Sequence, residues 1–387
     1  ADDIVRSITA FALYGFPESH AASFALLAYA SAYLRAHHPA AFTCAMLNNW
    51  PLGFYHPATL VKDAQRHGLR VLPIDVGRSS WRCRIEQVNS RQSKVESRAA
   101  GAIDYQPSTI DSLSLRLGLR YVSGLREAAG ARIAAERAKA PFTSVADVAV
   151  RCQLREDEMA ALAEIGAFAA FGLTRREALW QAAAAPKGAL FARQSTVDSS
   201  PSRVPTIDHR LSTIDCPLPA MSALERTLAD YKGTGVTVGP HIMTHLRESL
   251  ACDGVLRAAD LAGTRNGQWV KIAGLVIVRQ RPGTAKGFCF ITLEDETGTA
   301  NAVVVPDMFQ RYRVVIHTAA ILLIEGPLQK ACPEPGRRVD GVIHVRARRM
   351  RELSVAHQAI GLTGHGYRMR VTPGDEPPPV PPSHDFH

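Results

Sequence analysis

Trp269-Val270-Lys271-Ile272-Ala273-Gly274-Leu275-Val276-Ile277-Val278-Arg279-Gln280-Arg281 is the stretch that decides the architecture. Val270, Ile272, Gly274, Val276 and Val278 alternate with Lys271, Ala273, Leu275 and Ile277, the period of two that sends successive side chains to opposite faces of a strand. Residues 288–293 predict a second strand, Asp295, Glu296 and Gly298 a turn, and residues 300–305 a third strand. Residues 307–314 read as a short helix, and residues 321–326 and 342–348 complete the set. Five strands with a helix between the third and fourth predict an OB-fold β-barrel over residues 269–351.

Charge concentrates in the same place. Residues 269–351 hold 13 Lys/Arg and 7 Asp/Glu, a net of +6 within a 387-residue chain whose formal net charge is +9. Such an excess suits a polyanionic partner, either nucleic acid or an anionic membrane surface. Lys271 lies on the first strand, and Arg279, Arg281 and Lys286 crowd the loop after it, beside Phe288 and Phe290. Cations for phosphates and aromatic faces for bases are what single-stranded nucleic acid requires. The period-two spacing of the two phenylalanines favours the barrel core instead, in which case the loop cations alone would meet the strand.

Working back from the barrel, residues 221–268 form a mixed connecting segment, and residues 186–220 are a linker rich in Pro and Ser. Helices are expected over residues 124–185. Val122-Ser123-Gly124-Leu125, followed by a helix containing Ile133 and Arg137, has the shape of a helix-hairpin-helix. The backbone amides and helix N-terminus of such a hairpin hydrogen-bond a DNA phosphate without reading bases. Arg126 stands where a second glycine is usual, and a cation there can itself meet a phosphate. A looser second hairpin is Leu162-Ala163-Glu164-Ile165-Gly166-Ala167, with Gly172 and Arg175-Arg176 after it. An ordinary helical hairpin with a turn glycine fits either stretch as well. Residues 4–70 read as helical, with Pro39 and Pro57 opening helices and Gly68 closing one. Short strands are expected at 69–76 and 81–86, a loop at 89–108, and an extended proline-rich tail at 372–383 within the terminal segment 352–387.

Other classes of function find no support. No apolar run approaches the roughly 20 residues of a membrane span, and Ala1-Asp2-Asp3 does not resemble a secretory signal. The start lacks Met and reads like the middle of a domain, so the chain is expected to be a fragment. Its seven cysteines are scattered with no CxxC pair, which fits reduced thiols in a cytoplasm. Three carboxylate clusters are the candidates for holding catalytic metal ions. Asp2-Asp3 lies at the chain end, Glu156-Asp157-Glu158 reads as a solvated helix start, and Glu294-Asp295-Glu296 reads as a hairpin turn. His241 and His245 are four apart but lack a third ligand, and read as solvated or capping side chains. With no P-loop, GxSxG or HExxH present, no catalytic residue, metal or bound cofactor is expected in this chain.

One family shares long stretches of this sequence. Phe11-Ala12-Leu13-Tyr14-Gly15-Phe16-Pro17-Glu18-Ser19-His20-Ala21-Ala22-Ser23-Phe24-Ala25 resembles the fingers region of bacterial C-family DNA polymerases. Val278-Arg279-Gln280-Arg281-Pro282-Gly283-Thr284-Ala285-Lys286-Gly287 resembles their damage-inducible, error-prone branch rather than the replicative one. The resemblance implies a multidomain α+β fragment: the C-terminal part of the fingers over 1–110, tandem helix-hairpin-helix over 111–185 and the OB-fold after the linker. It implies a parent that extends primer-template DNA across lesions, with Mg2+ held by palm carboxylates not among these residues. Tyr14, Ser19 and His20 would lie near nucleotide and template. Ser123, Gly124, Arg126, Arg175, Arg176, Lys271, Arg279, Arg281, Lys286 and Phe288 would contact DNA. An inactive Y-family-like polymerase and a recombinase-like accessory protein would be partners. A stand-alone single-stranded DNA-binding module is the competing expectation.

Overall fold

Prolines open the first helices, as the spacing predicts. The computed structural model describes residues 18–51, 56–87, 113–184, 216–330 and 342–353. It places α1 at Glu18–His37, α2 at Pro39–Asn48 and α3 at Pro57–Arg66. Pro39 and Pro57 occupy the first turn, where a missing N–H leaves no bond unmade. The expected strands shorten to β1 (Arg70–Leu72) and β2 (Arg84–Gln87), and β3 (Leu113–Arg116) lies between them, parallel to β1 and antiparallel to β2. The loop at 89–108, most of the linker and the proline-rich tail lie outside the described residues.

Four helices follow: α4 (Glu127–Lys139), α5 (Val145–Cys152), α6 (Glu156–Glu164) and α7 (Arg175–Ala184). They share one apolar core with the small sheet, in which Leu47 of α2, Leu115 of β3, Ile133 of α4 and Leu162 of α6 are fully buried. That core joins residues on both sides of residue 110. Arg120 and Tyr121 strengthen the join by donating to the Asn48 carbonyl at 2.6 Å and the Leu47 carbonyl at 2.8 Å, at the end of α2.

The barrel is β4 (Trp269–Gln280), β5 (Cys289–Glu294), β6 (Thr299–Val304), β7 (Ile321–Lys330) and β8 (Ile343–Arg346), in the order β4-β5-β6-β8-β7, closed by pairing of β7 with β4. Two short helices, α10 (Pro306–Arg311) and α11 (Arg313–Thr318), sit between the third and fourth strands. A further strand, β9 (Arg349–Glu352), adds to the expected five; it continues along the β7 edge that β8 has left. The chain bends there over Gly326, where any Cβ would collide with the Arg346 carbonyl.

β4 is apolar on both faces because both are covered. Val270, Ile272 and Val276 enter the barrel core. Ala273 and Leu275 pack outward on Tyr231 of α8 (Ala223–Thr234), on Ile242 and Met243, and on Leu250 of α9 (Arg247–Cys252). Segment 221–268 is therefore a packing layer, and each side chain it buries contributes roughly 1.5–3 kcal/mol.

The core expectation for the two phenylalanines is overturned. Cys289, Ile291 and Leu293 are the β5 residues that enter the core, so Phe288 is half-buried and Phe290, 39% exposed, faces outward. A strand offers one face to the interior, and here pairing with β4 and β6 gives it to the odd-numbered set.

Candidate nucleic-acid interface

The outward face of β5 and β6 is the part of an OB-fold that meets oligonucleotides. Cross-strand pairing builds two rows there. Gln280, Phe290, Val303 and Arg346 form one row across β4, β5, β6 and β8, and Thr292, Asn301 and His344 form the next. The second row is tied by hydrogen bonds: Thr292 Oγ1 donates to Asn301 Oδ1 at 2.9 Å, and His344 Nε2 lies 3.0 Å from Gln329 Oε1. The result is an exposed ring beside an apolar patch, a guanidinium and a line of fixed polar groups. Val303, Asn301, His344 and Arg346 escaped the sequence reading. Their period-two spacing was visible, but the register that brings them beside Phe290 was not.

The basic loop after β4 divides. Arg279 turns inward: its guanidinium donates to the Ile316 carbonyl at 2.6 Å and to the Ala319 carbonyl, closing the end of α11. Burial pushes its pKa down, and its charge serves the barrel rather than solvent. Arg281 remains exposed, stacked 4.4 Å from the centroid of the Phe309 ring. Lys286 is exposed and held at φ +48°, in the left-handed region. Lys271 donates to the Asp253 carbonyl at 3.0 Å.

At the first hairpin, Val122 and Leu125 are buried anchors while Ser123 and Gly124 are exposed, with Gly124 at φ +84°. The Ser123 N–H is already given to the Gly233 carbonyl at 2.7 Å. The amides of Gly124, Glu127 and Ala128 have no acceptor among the described residues, which leaves donors at the start of α4 for an anion. Arg126 does not stand ready beside them. Its guanidinium grips Glu158 at 2.7 and 2.9 Å, and Glu158 also accepts the Arg155 N–H at 3.0 Å. Glu158 is thus buried rather than solvated, although it does open a helix as expected. The Arg126 guanidinium holds its carboxyl down at about 2.

The second hairpin carries its arginines in the same structural way. Arg175 donates to Asp230 Oδ1 at 2.7 Å and to the carbonyls of Glu164 and Arg226, tying α7 to α8, and Arg176 reaches Glu225 at 3.5 Å. Tyr14 lies outside the described residues. Ser19 and His20 fall in the first turn of α1, with their side chains outside the described set.

The acidic triplet after β5 joins the barrel to the helical part. Glu294, 1% exposed, accepts Arg66 of α3 at 2.5 Å. Asp295 caps the turn through the N–H groups of Thr297 and Gly298, and Arg247 pairs with both Asp295 and Glu296. Burial pushes the Glu294 carboxyl up while Arg66 pulls it back, and burial lowers Lys62 to about 8. His241 is a cap but not a solvated one. Its Nδ1 accepts the Met243 N–H at 3.2 Å, and burial lowers its pKa to about 3, leaving it neutral. Among the described residues, no three His, Cys, Asp or Glu side chains could hold a metal ion. No described helix is long and apolar enough to cross a membrane.

Two known families match separate parts of the chain. Residues 68–178 match the helix-hairpin-helix motif, and residues 270–360 match the OB-fold nucleic acid binding domain. The chain is 42% identical over 345 residues to an error-prone DNA polymerase of Anaeromyxobacter sp. (strain K), an alignment covering 88% of this chain and 28% of that protein. It is 38% identical over 379 residues to error-prone DNA polymerase 1 of Agrobacterium fabrum, covering 97% of this chain and 32% of that protein. A solved asparaginyl-tRNA synthetase from Pyrococcus horikoshii shares 21% identity over 22% of this chain and 20% of its own, with a TM-score of 0.18, too slight a likeness to carry an argument. The chain is therefore related over about nine-tenths of its length to error-prone DNA polymerases, and spans about three-tenths of theirs.

Proposed function

We propose that this chain is the DNA-gripping portion of an error-prone DNA-directed DNA polymerase that acts in damage-induced translesion synthesis and repair. The observation that carries the proposal is the outward β5–β6 face, where Phe290 stands exposed in line with Val303 and Arg346. A single template strand would stack a base on Phe290 and set its phosphates toward Arg346, Arg281 and Lys286. The free amides at the start of α4 would take a phosphate of the primer-template duplex without reading sequence.

The described residues do not fit the Mg2+ ions that nucleotidyl transfer uses. Glu294, Asp295 and Glu296 are held by arginines and turn amides, and Glu158 by Arg126. In this proposal the chemistry resides elsewhere in the polymerase, and Tyr14, Ser19 and His20 approach the nucleotide only in that whole. An inactive Y-family-like polymerase and a recombinase-like accessory protein belong to the same proposal as partners, and so does a cytoplasmic location.

The test is fluorescence anisotropy of labelled single-stranded and duplex DNA at two salt concentrations, beside primer extension with magnesium and nucleotides. Binding to both forms that weakens with salt, without extension, is the expected result. Extension by the pure chain would overturn the non-catalytic assignment, and absence of binding would overturn the DNA-gripping one.

A further inference from the structure

On the side of the barrel away from Phe290, β7 carries β9 along one edge, and the pair forms a groove with α10. The groove encloses about 460 Å3 and is lined by Arg311, Tyr312, Glu325, Arg348, Arg349 and Arg351 among its polar and aromatic groups. Four guanidiniums thus face one carboxylate. Leu323 and Met350, which form its floor, are buried, so the groove offers no open apolar patch to a partner. Arg311, Arg348 and Arg349 are exposed and make no ion pair within 4.0 Å among the described residues. Arg351 reaches Asp253 only at 3.9 Å, with both side chains more than half exposed, a pairing of little strength in water.

Position on the strand decides what these cations suit. Met350 points into the core, so Arg349 and Arg351 on either side of it point outward together. Two residues of strand separate them by about 6.7 Å, close to the spacing of successive phosphates along one nucleic-acid strand. Guanidinium forks match phosphate oxygens two at a time. Tyr312, with Arg311 over its ring at 5.6 Å, adds an aromatic surface to the wall. An extended acidic peptide presents alternate carboxylates at the same spacing; nucleic acid is favoured because the groove lies within residues 270–360, which match the OB-fold nucleic acid binding domain.

We propose that the groove between α10 and β9 binds the phosphodiester backbone of a nucleic-acid strand, as a second site separate from the β5–β6 face. It rests on the reading that this barrel meets DNA. β7 and β9 do not border β5 or β6, so Phe290 and the groove lie on different strands of the barrel, and the chain between Arg346 and Arg348 links the two sites. The barrel would then hold two stretches of strand at once, one by base stacking and one by charge alone.

The test uses the full chain, a labelled oligothymidylate and anisotropy at about 50 and 200 mM salt. Each phosphate contact adds about 0.7 to the salt slope for a single strand, so three contacts account for a roughly 20-fold share of the affinity lost between those salts. The triple variant Arg311→Ala, Arg349→Ala, Arg351→Ala is expected to show a salt-dependent loss smaller by that factor. The matching triple lysine variant keeps the charge and is expected to retain the wild-type slope. An unchanged slope in the alanine variant would overturn the proposal. So would a lysine variant as impaired as the alanine one, since the effect would then be damage to the fold. Polyglutamate displacing DNA from the wild-type chain as well as an abasic oligonucleotide of equal charge would assign the groove to acidic peptides instead. Phe290→Ala separates the two sites: it is expected to lower affinity without changing the slope. If Phe290→Ala has no effect while the alanine triple does, the β5–β6 face fails and the groove stands.

Discussion

Replacing Glu158 by Gln tests whether the ion pair at the foot of the first hairpin is structural. The Glu158 carboxylate is 1% exposed and takes two hydrogen bonds from Arg126, at 2.7 and 2.9 Å. Those donors lower its pKa from 4.5 to about 2. A carboxyl depressed in the fold contributes stability that is complete above its unfolded pKa, near 4.5, and lost as pH falls through about 2. A shift of that size corresponds to about 3 kcal/mol. Arg126 is itself 39% exposed, and screening by water reduces the figure to on the order of 2 kcal/mol. Gln keeps one oxygen to accept the Arg155 N–H, so the helix cap survives, but its NH2 replaces the oxygen that accepts the Arg126 backbone N–H and Nε–H, and the charge and those two bonds are lost together. Urea unfolding followed by tryptophan fluorescence suits the measurement, because Trp81 packs on Gly130 of α4. Hydrogen exchange in α4 and α6 identifies which transition of a multidomain chain is being read. The expected gap between wild type and Glu158→Gln is about 2 kcal/mol at pH 7 and less than half of that at pH 3. A second readout follows from function. Arg126, released beside the free amides of the hairpin, is expected to steepen the salt slope for duplex DNA by about 0.9. A gap under about 0.5 kcal/mol at pH 7, or one undiminished at pH 3, would refute the pairing argument.

Phe290→Ala is expected to weaken single-strand binding by about 1–3 kcal/mol, the usual worth of a stacked base, and binding within twofold of wild type by anisotropy would remove Phe290 from the interface. Arg66→Ala leaves Glu294 buried without its guanidinium and is expected to cost about 3 kcal/mol, seen as faster hydrogen exchange in α3 and β5. Burial raises the Glu294 pKa, so that defect is smallest where the carboxyl is protonated and grows as pH rises; protection unchanged at pH 7 would contradict the clamp. Gly130→Ala gains roughly 1 kcal/mol of helix propensity, yet its Cβ would stand 2.5 Å from a Trp81 ring carbon. Overpacking of about 1–3 kcal/mol should win, and a variant whose melting temperature rises would show that the ring moves aside without cost.

The local elements can be read along the chain because their causes are local. Period-two alternation marked the barrel strands, and the helix between the third and fourth strands identified the fold. Pro39, Pro57 and Gly68 fixed helix ends through φ alone. Exposed hairpin backbone at Gly124 followed from one glycine between two apolar anchors. The strand β9 was illegible, since Arg349, Arg351 and Glu352 pattern like surface and only the edge of β7 makes them a strand.

What each charge does was decided by tertiary structure. A sequence counts arginines, but a guanidinium is free or engaged according to what the fold brings within about 3 Å of it. Arg126 meets Glu158, Arg175 meets Asp230 and Arg66 meets Glu294, all partners distant along the chain. Arg279 lies two residues from Arg281 on one continuous run, yet one closes a helix end inside the barrel and the other faces solvent. The same holds for Phe290: period two showed that β5 has two faces, and only pairing with β4 and β6 chose the face that looks outward.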